Sequence, residues 1–242
     1  MIERDTKLQI TDEPAIAYST CYRLPFLSLF HADCMEIMKQ YPDKYFDLAI
    51  VDPPYGINGG VDNRNAIETK SGNNLRRFAR KGGMNWDRET PPKEYFDELR
   101  RVSKNQIIWG GNYFINYLEN TRCLICWNKM TYIPSMSQME VAWTSFDRHT
   151  KYIKINSNQS DRIHISQKPI DLYDWTIRNF ATEGMKILDT HFGSGSIALA
   201  VDKANRLDKM NLHLTACEID KEYIDKAIKR ITESIKQGTL SF

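Results

Sequence analysis

The sequence lacks most of the features that assign a chain to a class at a glance. Its 33 basic and 31 acidic side chains nearly cancel, leaving a formal charge of +2. Bulk charge therefore does not mark a nucleic-acid binder, and any basic surface must come from local distribution. Cysteine is sparse and odd in number: Cys21, Cys34, Cys123, Cys126 and Cys217. Cys123 and Cys126 form a C-x-x-C, but inside an apolar run and without a second Cys/His pair at zinc spacing. They read as structural thiols, which predicts a reducing, cytoplasmic setting. The first residues show no basic-then-apolar leader and no apolar run reaches membrane-spanning length, so a soluble protein is expected. Internal repeats, low-complexity tracts and proline-rich linkers are also missing, so one α/β domain with a loop insertion is the simplest organisation for 242 residues.

The most informative stretch is Ile50-Val51-Asp52-Pro53-Pro54-Tyr55. An apolar run from Leu48 to Val51 ends in a carboxylate, two prolines and an aromatic ring. The run reads as a buried parallel strand that the proline pair stops. One acid and one ring are thereby held at a strand's carboxyl end, the edge where open α/β sheets bind ligands. Upstream, residues 1–25 read as an extended lead-in, Phe26 to Phe30 as a strand, and Ala32 to Gln40 as a helix capped by Asp33. Downstream, Gly56 to Pro92 is a long segment with little apolar content, and loops of that length in compact domains are functional or disordered.

Regular structure is expected again as a helix over Lys93–Val102, a strand over Gln106–Trp109, and a helix around Tyr113–Leu118 after Gly110-Gly111. Strands follow at Cys123–Trp127 and Glu140–Trp143. Thr144 to Ile163 is polar, and Leu172, Trp175, Ile177 and Phe180 place a helix over Ile170–Ala181. The last third alternates: strand Lys186–Leu188, helix Ile197–Ala204, strand Leu212–Cys217, helix Lys221–Ile235. Such alternation predicts a doubly wound, mostly parallel sheet.

Between the first strand and helix of that last third lies Asp189-Thr190-His191-Phe192-Gly193-Ser194-Gly195-Ser196. Glycines there admit a ligand close to the backbone, and the helix N-terminus favours an anionic group. Glu218 ends the next strand, where a carboxylate can accept both hydrogen bonds of a ribose diol. The pair points to a nucleoside-type cofactor. Gly193-Ser194-Gly195-Ser196-Ile197-Ala198 also fits the dinucleotide pattern G-x-G-x-x-A, which keeps a nicotinamide or flavin oxidoreductase as an alternative. However, that pattern usually lies in a first βαβ unit, and hydride transfer gives no use to Asp52-Pro53-Pro54-Tyr55.

Taken together, the motifs resemble the β class of amino-group DNA methyltransferases, over about residues 26 to 235. Asp52-Pro53-Pro54-Tyr55 matches their D-P-P-Y motif, and the glycine turn is similar to their D-P-F-x-G-S-G-T cofactor motif. Thr190 and His191 stand where Pro and Phe are usual, and Ser196 where Thr is. His164-Ile165-Ser166-Gln167-Lys168-Pro169 resembles the H-P-x-Q-K-P segment that precedes that turn, with Ile165 in place of proline. Asp33 resembles the acid placed near the cofactor's adenine. The resemblance implies a circularly permuted Rossmann-like fold spanning 1–242 as a single catalytic domain. Its catalytic half is 26–143 with loop 56–92, its target-recognition segment a short 144–163, and its cofactor half 164–236. It implies S-adenosyl-L-methionine as cofactor, with no metal, held by Asp33, Asp52, Gln167, Lys168, Pro169, Asp189, His191, Phe192, Gly193, Ser194, Gly195, Ser196 and Glu218. It implies double-stranded DNA as substrate. Dimers are common among such relatives, and a restriction endonuclease partner is not legible.

In this reading Asp52 and the Pro53 carbonyl accept the N–H bonds of an exocyclic amine. They localise its lone pair toward the methyl donor, while Tyr55 offers a face to the flipped base. Pro54 cannot donate and keeps that surface acceptor-only. Relatives acting on cytosine N4 usually carry Ser at the Asp52 position, so adenine N6 is favoured. Cytosine N4, an RNA substrate and a non-catalytic DNA-binding role remain the alternatives. Arg64, Lys70, Arg76, Arg77, Arg80 and Lys81 make the loop after the motif basic enough to neutralise phosphates, with Arg148, Lys151 and Lys154 a weaker second patch. Trp86, Trp109 and Trp127 read as core.

Overall fold

The computed structural model describes residues 3–4, 21–57, 87–131, 137–158, 162–164 and 166–239. Ten strands form one sheet: β1 (Glu3–Arg4), β2 (Cys21–Leu24), β3 (Leu27–His31), β4 (Phe46–Val51), β5 (Ser103–Trp109), β6 (Leu124–Asn128), β7 (Met139–Thr144), β8 (Lys151–Lys154), β9 (Lys186–Asp189) and β10 (His213–Glu218). Their spatial order is β1-β2-β3-β10-β9-β4-β5-β7-β6-β8. The run from β3 to β5 is parallel throughout. β1 and β2 extend one side antiparallel, and β7 enters antiparallel on the other. The doubly wound, mostly parallel α/β sheet expected from the sequence is thus present.

Helices cover both faces. On one side α1 (Cys34–Met38) and α2 (Lys93–Val102) bury Ile37, Met38, Tyr95, Phe96 and Leu99 against Val51, Ile108 and Leu188. On the other, α3 (Ile170–Phe180), α4 (Ser196–Asp208) and α5 (Lys221–Thr239) pack Leu172, Ile177, Ile197, Ile224 and Ile231 against Ile50, Ile107 and Ile187. Strand residues therefore alternate between two apolar layers, which is why β4 reads as an unbroken apolar run instead of an alternating one. No helix among the described residues is long and apolar enough to cross a membrane.

Three sequence expectations need correction. The extended lead-in contains β2, which pairs Cys21 with Phe30 and Leu24 with Leu27 across a tight turn. The helix expected around Tyr113–Leu118 is only a 3-10 turn, Gly111–Tyr113, because Gly110 adopts a left-handed φ of 69° and Phe114 leaves helical geometry. The polar segment 144–163 contributes β8, parallel to β6, so part of it is sheet. Trp109 and Trp127 are core as expected, and Trp86 lies outside the described residues.

The chain order fixes where a ligand site belongs. From β4 the chain moves outward to β5, whereas from β9 it moves the other way to β10, so winding reverses between the neighbours β4 and β9. The crevice beyond the carboxyl ends of such a strand pair is the expected ligand site of a doubly wound sheet. Asp52 follows β4 and Asp189 ends β9.

Candidate active site

At the end of β4 the two prolines terminate hydrogen bonding, and Asp52 leaves the sheet with its carboxylate turned into a charged cluster. Its Oδ1 accepts the Tyr55 hydroxyl at 2.5 Å, and its Oδ2 lies 2.6 Å from Lys168 Nζ. Lys168 also donates to the Tyr55 hydroxyl oxygen at 3.1 Å. Beyond Lys168 stands Glu140 of β7, with Oε2 3.2 Å from the ammonium and Oε1 2.5 Å from Lys129 Nζ. Positive and negative groups alternate from Lys129 to Asp52, so the cluster is neutral although Lys168 is only 4% exposed. Burial raises the Asp52 carboxyl and Glu140 adds to that, while Lys168 opposes both. Burial would strip Lys168 of its proton, but Asp52 and then Glu140 raise it above the ordinary lysine value and keep it cationic.

Tyr55 is held by its backbone, its hydroxyl and one side of its ring. Its backbone N–H and that of Gly56 donate to Asp87 Oδ1 at 2.6 and 3.0 Å. Its ring stacks on Tyr113, with centroids 4.9 Å apart and planes 15° apart. Gly110, after β5, presses so closely that an added Cβ would fall 2.2 Å from Tyr55 Cε1. Only glycine satisfies both that approach and the left-handed φ. Burial and the nearby Asp52 charge hold the Tyr55 hydroxyl well above its ordinary pKa, so it is a donor to Asp52.

Across the crevice the glycine turn is built mainly from backbone. Asp189 Oδ1 accepts the His191 N–H at 3.1 Å, and Glu218 Oε2 accepts the Gly193 N–H at 2.8 Å. Glu218 Oε1 also accepts the Asp220 N–H at 2.9 Å. Gly195 takes φ 71° as the residue before α4, with Phe192 and Ile231 filling the space beneath it. Arg230 of α5 braces the turn from behind, donating to the Ser194 carbonyl and the Ser196 hydroxyl. Burial pushes Asp189 up to about 8, and raises Glu218 as well. His191 is pushed down to about 4 by burial, and its Nδ1 lies 2.9 Å from the Thr190 hydroxyl, itself 2.6 Å from that of Tyr95.

Of the other residues singled out in the sequence, Asp33 caps α1 through the Met35 N–H at 2.7 Å and lies near His191. Gln167 is buried, its Oε1 accepting the Ile163 N–H, and Pro169 caps the start of α3. Phe192 is buried in the core beneath the turn. Pro53 is buried and Pro54 half-buried. Among the basic candidates, Arg64, Lys70, Arg76, Arg77, Arg80 and Lys81 lie outside the described residues. Arg148 turns back onto the fold, stacking over Phe146 and Phe180 and donating to the Asn179 carbonyl. Lys151 begins β8 and is half-buried.

Sequence reading missed Lys129, Glu140, Asp87, Tyr95 and Gly110. Glu140 carried the one usable signal, a lone acid opening an otherwise apolar strand. All five cysteines are free thiols, and burial pushes Cys34 up to about 12. No group of three or more His, Cys, Asp or Glu side chains among the described residues converges as a metal site.

The turn suits a cofactor with a cationic group. Asp189 is a buried carboxyl with a raised pKa facing no cation within ion-pair distance among the described residues, and a bound positive group would restore its charge. Gly193 leaves open space where a side chain would stand, with no heavy atom nearer than 3.9 Å to an added Cβ.

A family described as DNA methylase matches residues 108–229, half of the chain. The type II methyltransferase M1.MboII of Moraxella bovis is 26% identical over 144 residues, which cover 60% of this chain and 46% of that protein. The chain thus spans under half the length of that curated relative. Among solved structures, the M1.HpyAVI-SAM complex superposes with a TM-score of 0.53 at 18% identity, over 85% of this chain and 98% of the other. The PvuII DNA methyltransferase, described as cytosine-N4-specific, gives 0.54 at 12% identity, over 88% and 92%. These two likenesses concern the fold.

Proposed function

The chain belongs to the N6/N4 DNA methylase family, and from that premise we propose that it transfers a methyl group from S-adenosyl-L-methionine to the N6 amine of an adenine flipped out of double-stranded DNA. The observation that carries the reading is the meeting of Asp52-Pro53-Pro54-Tyr55 and the glycine turn across the β4/β9 crevice. Bound there, S-adenosylmethionine supplies an electrophilic methyl on a sulfonium. Asp189, Glu218 and the Gly193–Gly195 backbone are the groups that would hold it.

What the chain's own residues do follows from their geometry. Asp52 offers an acceptor whose direction is fixed by Lys168 and Tyr55. Adenine's amine is a weak nucleophile because its lone pair is delocalised into the ring. Gripping its N–H bonds with Asp52 and the Pro53 carbonyl turns that pair out of conjugation, so positioning does most of the work, and the proton shed by the methylated nitrogen has Asp52 as its nearest acceptor on the way to solvent. Tyr55 supplies a flat face for the base. Tyr113 already lies against that ring, so an incoming base takes the opposite face or displaces Tyr113. The basic loop between Arg64 and Lys81 is the proposed phosphate contact, and segment 144–163 the proposed start of target recognition.

The experiment is transfer of labelled methyl groups to DNA followed by nucleoside analysis. N6-methyladenine supports the reading, N4-methylcytosine redirects it to the other amine, and DNA binding without transfer overturns it. Asp52→Ala is expected to lower transfer by roughly 100-fold or more while changing cofactor affinity by less than about threefold. Equal losses in both would remove Asp52 from its assigned role.

A further inference from the structure

The cluster behind Asp52 holds a feature that binding the amine alone does not use. Lys168 Nζ stands between two carboxylates, 2.6 Å from Asp52 and 3.2 Å from Glu140. The nearer contact engages the oxygen that faces away from Tyr55. The farther contact lacks hydrogen-bond alignment, and Glu140 Oε2 is a buried oxygen with no aligned donor among the described residues. Buried carboxylate oxygens are normally satisfied. This one is held in place by Lys129 on its sister oxygen and aimed at an ammonium that currently leans elsewhere.

We propose that Glu140, braced by Lys129, is a positioning residue that takes over the Lys168 ammonium when the target amine donates to Asp52. The inference rests on the functional reading above, because it needs an incoming N–H donor. An ammonium fully committed to Asp52 would compete with a neutral amine for the same carboxylate. It would also oppose the positive charge that develops on the nitrogen as the methyl moves across. Drawing Lys168 toward Glu140 frees an acceptor and moves that cation away, without exposing either charge to water. The movement is short because both acceptors already flank the ammonium. The other titratable groups facing Asp52 are Tyr55, which donates to it, and Tyr173 and Asp189, whose pKa values it helps raise. None of these offers Lys168 a second carboxylate as near as Glu140.

The test is a carboxyl 13C titration of Asp52 in the 242-residue chain, with its resonance identified by loss in Asp52→Asn, alongside transfer kinetics. In Glu140→Gln the charge that helps raise Asp52 is gone and nothing draws the ammonium off it, so the titration midpoint of Asp52 moves to lower pH. The acid limb of the rate profile follows it, and kcat/KM for DNA falls about tenfold or more, with cofactor affinity unchanged within about twofold. In Lys129→Met the uncompensated Glu140 pulls Lys168 away, and the Asp52 midpoint moves to higher pH. If Glu140→Gln does not fold, the Lys129→Met shift decides. An Asp52 midpoint that stays put, or a rate loss with an unmoved acid limb, overturns the proposal and leaves Glu140 a structural residue. A wild-type protein that transfers no methyl group, with the Asp52 midpoint still shifting as stated in the two variants, would sink the functional reading and leave the coupling standing.

Discussion

At the end of β4 the groups that matter are side chains carried from distant parts of the chain: Asp52, Lys129, Glu140 and Lys168. Across the crevice, at the end of β9, most are backbone amides of one consecutive stretch, with Glu218 and Asp189 as the acids that receive them. The first region works by balancing charge, so removing a charge should damage it more than a small change of shape elsewhere. The second works by backbone conformation. It should tolerate a lost charge better than a lost glycine.

The largest test inverts that expectation at Gly110, the one position where the charged region depends on shape. Gly110→Ala forces a left-handed φ on a residue with a Cβ and drives that Cβ into the Tyr55 ring. We expect transfer to fall by about 100-fold or more and stability by roughly 2–4 kcal/mol, read from rate assays and denaturant unfolding. A silent variant would show that Tyr55 is not held as its geometry indicates. A smaller effect is expected at Glu218→Gln, which keeps an acceptor for the Gly193 N–H but loses the charge. Calorimetry should show cofactor affinity weaker by about tenfold, with kcat at saturating cofactor nearly unchanged. A fall in kcat without a fall in affinity would move Glu218 out of the cofactor site.

The smallest effects concern pH and are tested in the backbone-built region. His164 and His191 are both pushed down to about 4 by burial. Between about 6.5 and 4 the unfolded chain therefore holds more protons than the folded one, and stability falls as the pH drops through that window. Asp189, pushed up to about 8, has the opposite sign. It keeps its proton in the fold while the unfolded chain has lost it, so stability falls as pH rises from about 4 to 8. His191→Asn should raise the ligand-free melting temperature at pH 5 relative to pH 7, and Asp189→Asn should raise it at pH 8 relative to pH 5, each by about 2–4 °C. Tilts of the same sign would mean that burial is not what sets these groups.

Legibility from sequence follows the same division. The glycine turn could be read because its pieces are neighbours in the chain, and Asp52-Pro53-Pro54-Tyr55 because prolines ending an apolar run have a local physical meaning. β2 was missed because its short, half-polar run carries too little periodicity. β8, with alternating half-buried and exposed residues, has no full core face to announce it. The helix expected at Tyr113 failed because a left-handed Gly110 redirects the chain, and φ at a glycine is not written in the pattern around it.

By itself the sequence determined the alternation of strands and helices, the strand-end acid and aromatic, and the order of the two motifs, since each depends on residues within a few positions of one another. Only the tertiary structure decided which charges stand beside Asp52. Lys129 and Glu140 come to it through the pairing of β6 with β7, and Lys168 through the segment that leads into α3. An ion pair depends on distances of a few ångströms between side chains that can lie far apart in the chain, and those distances exist only once the sheet has set its register.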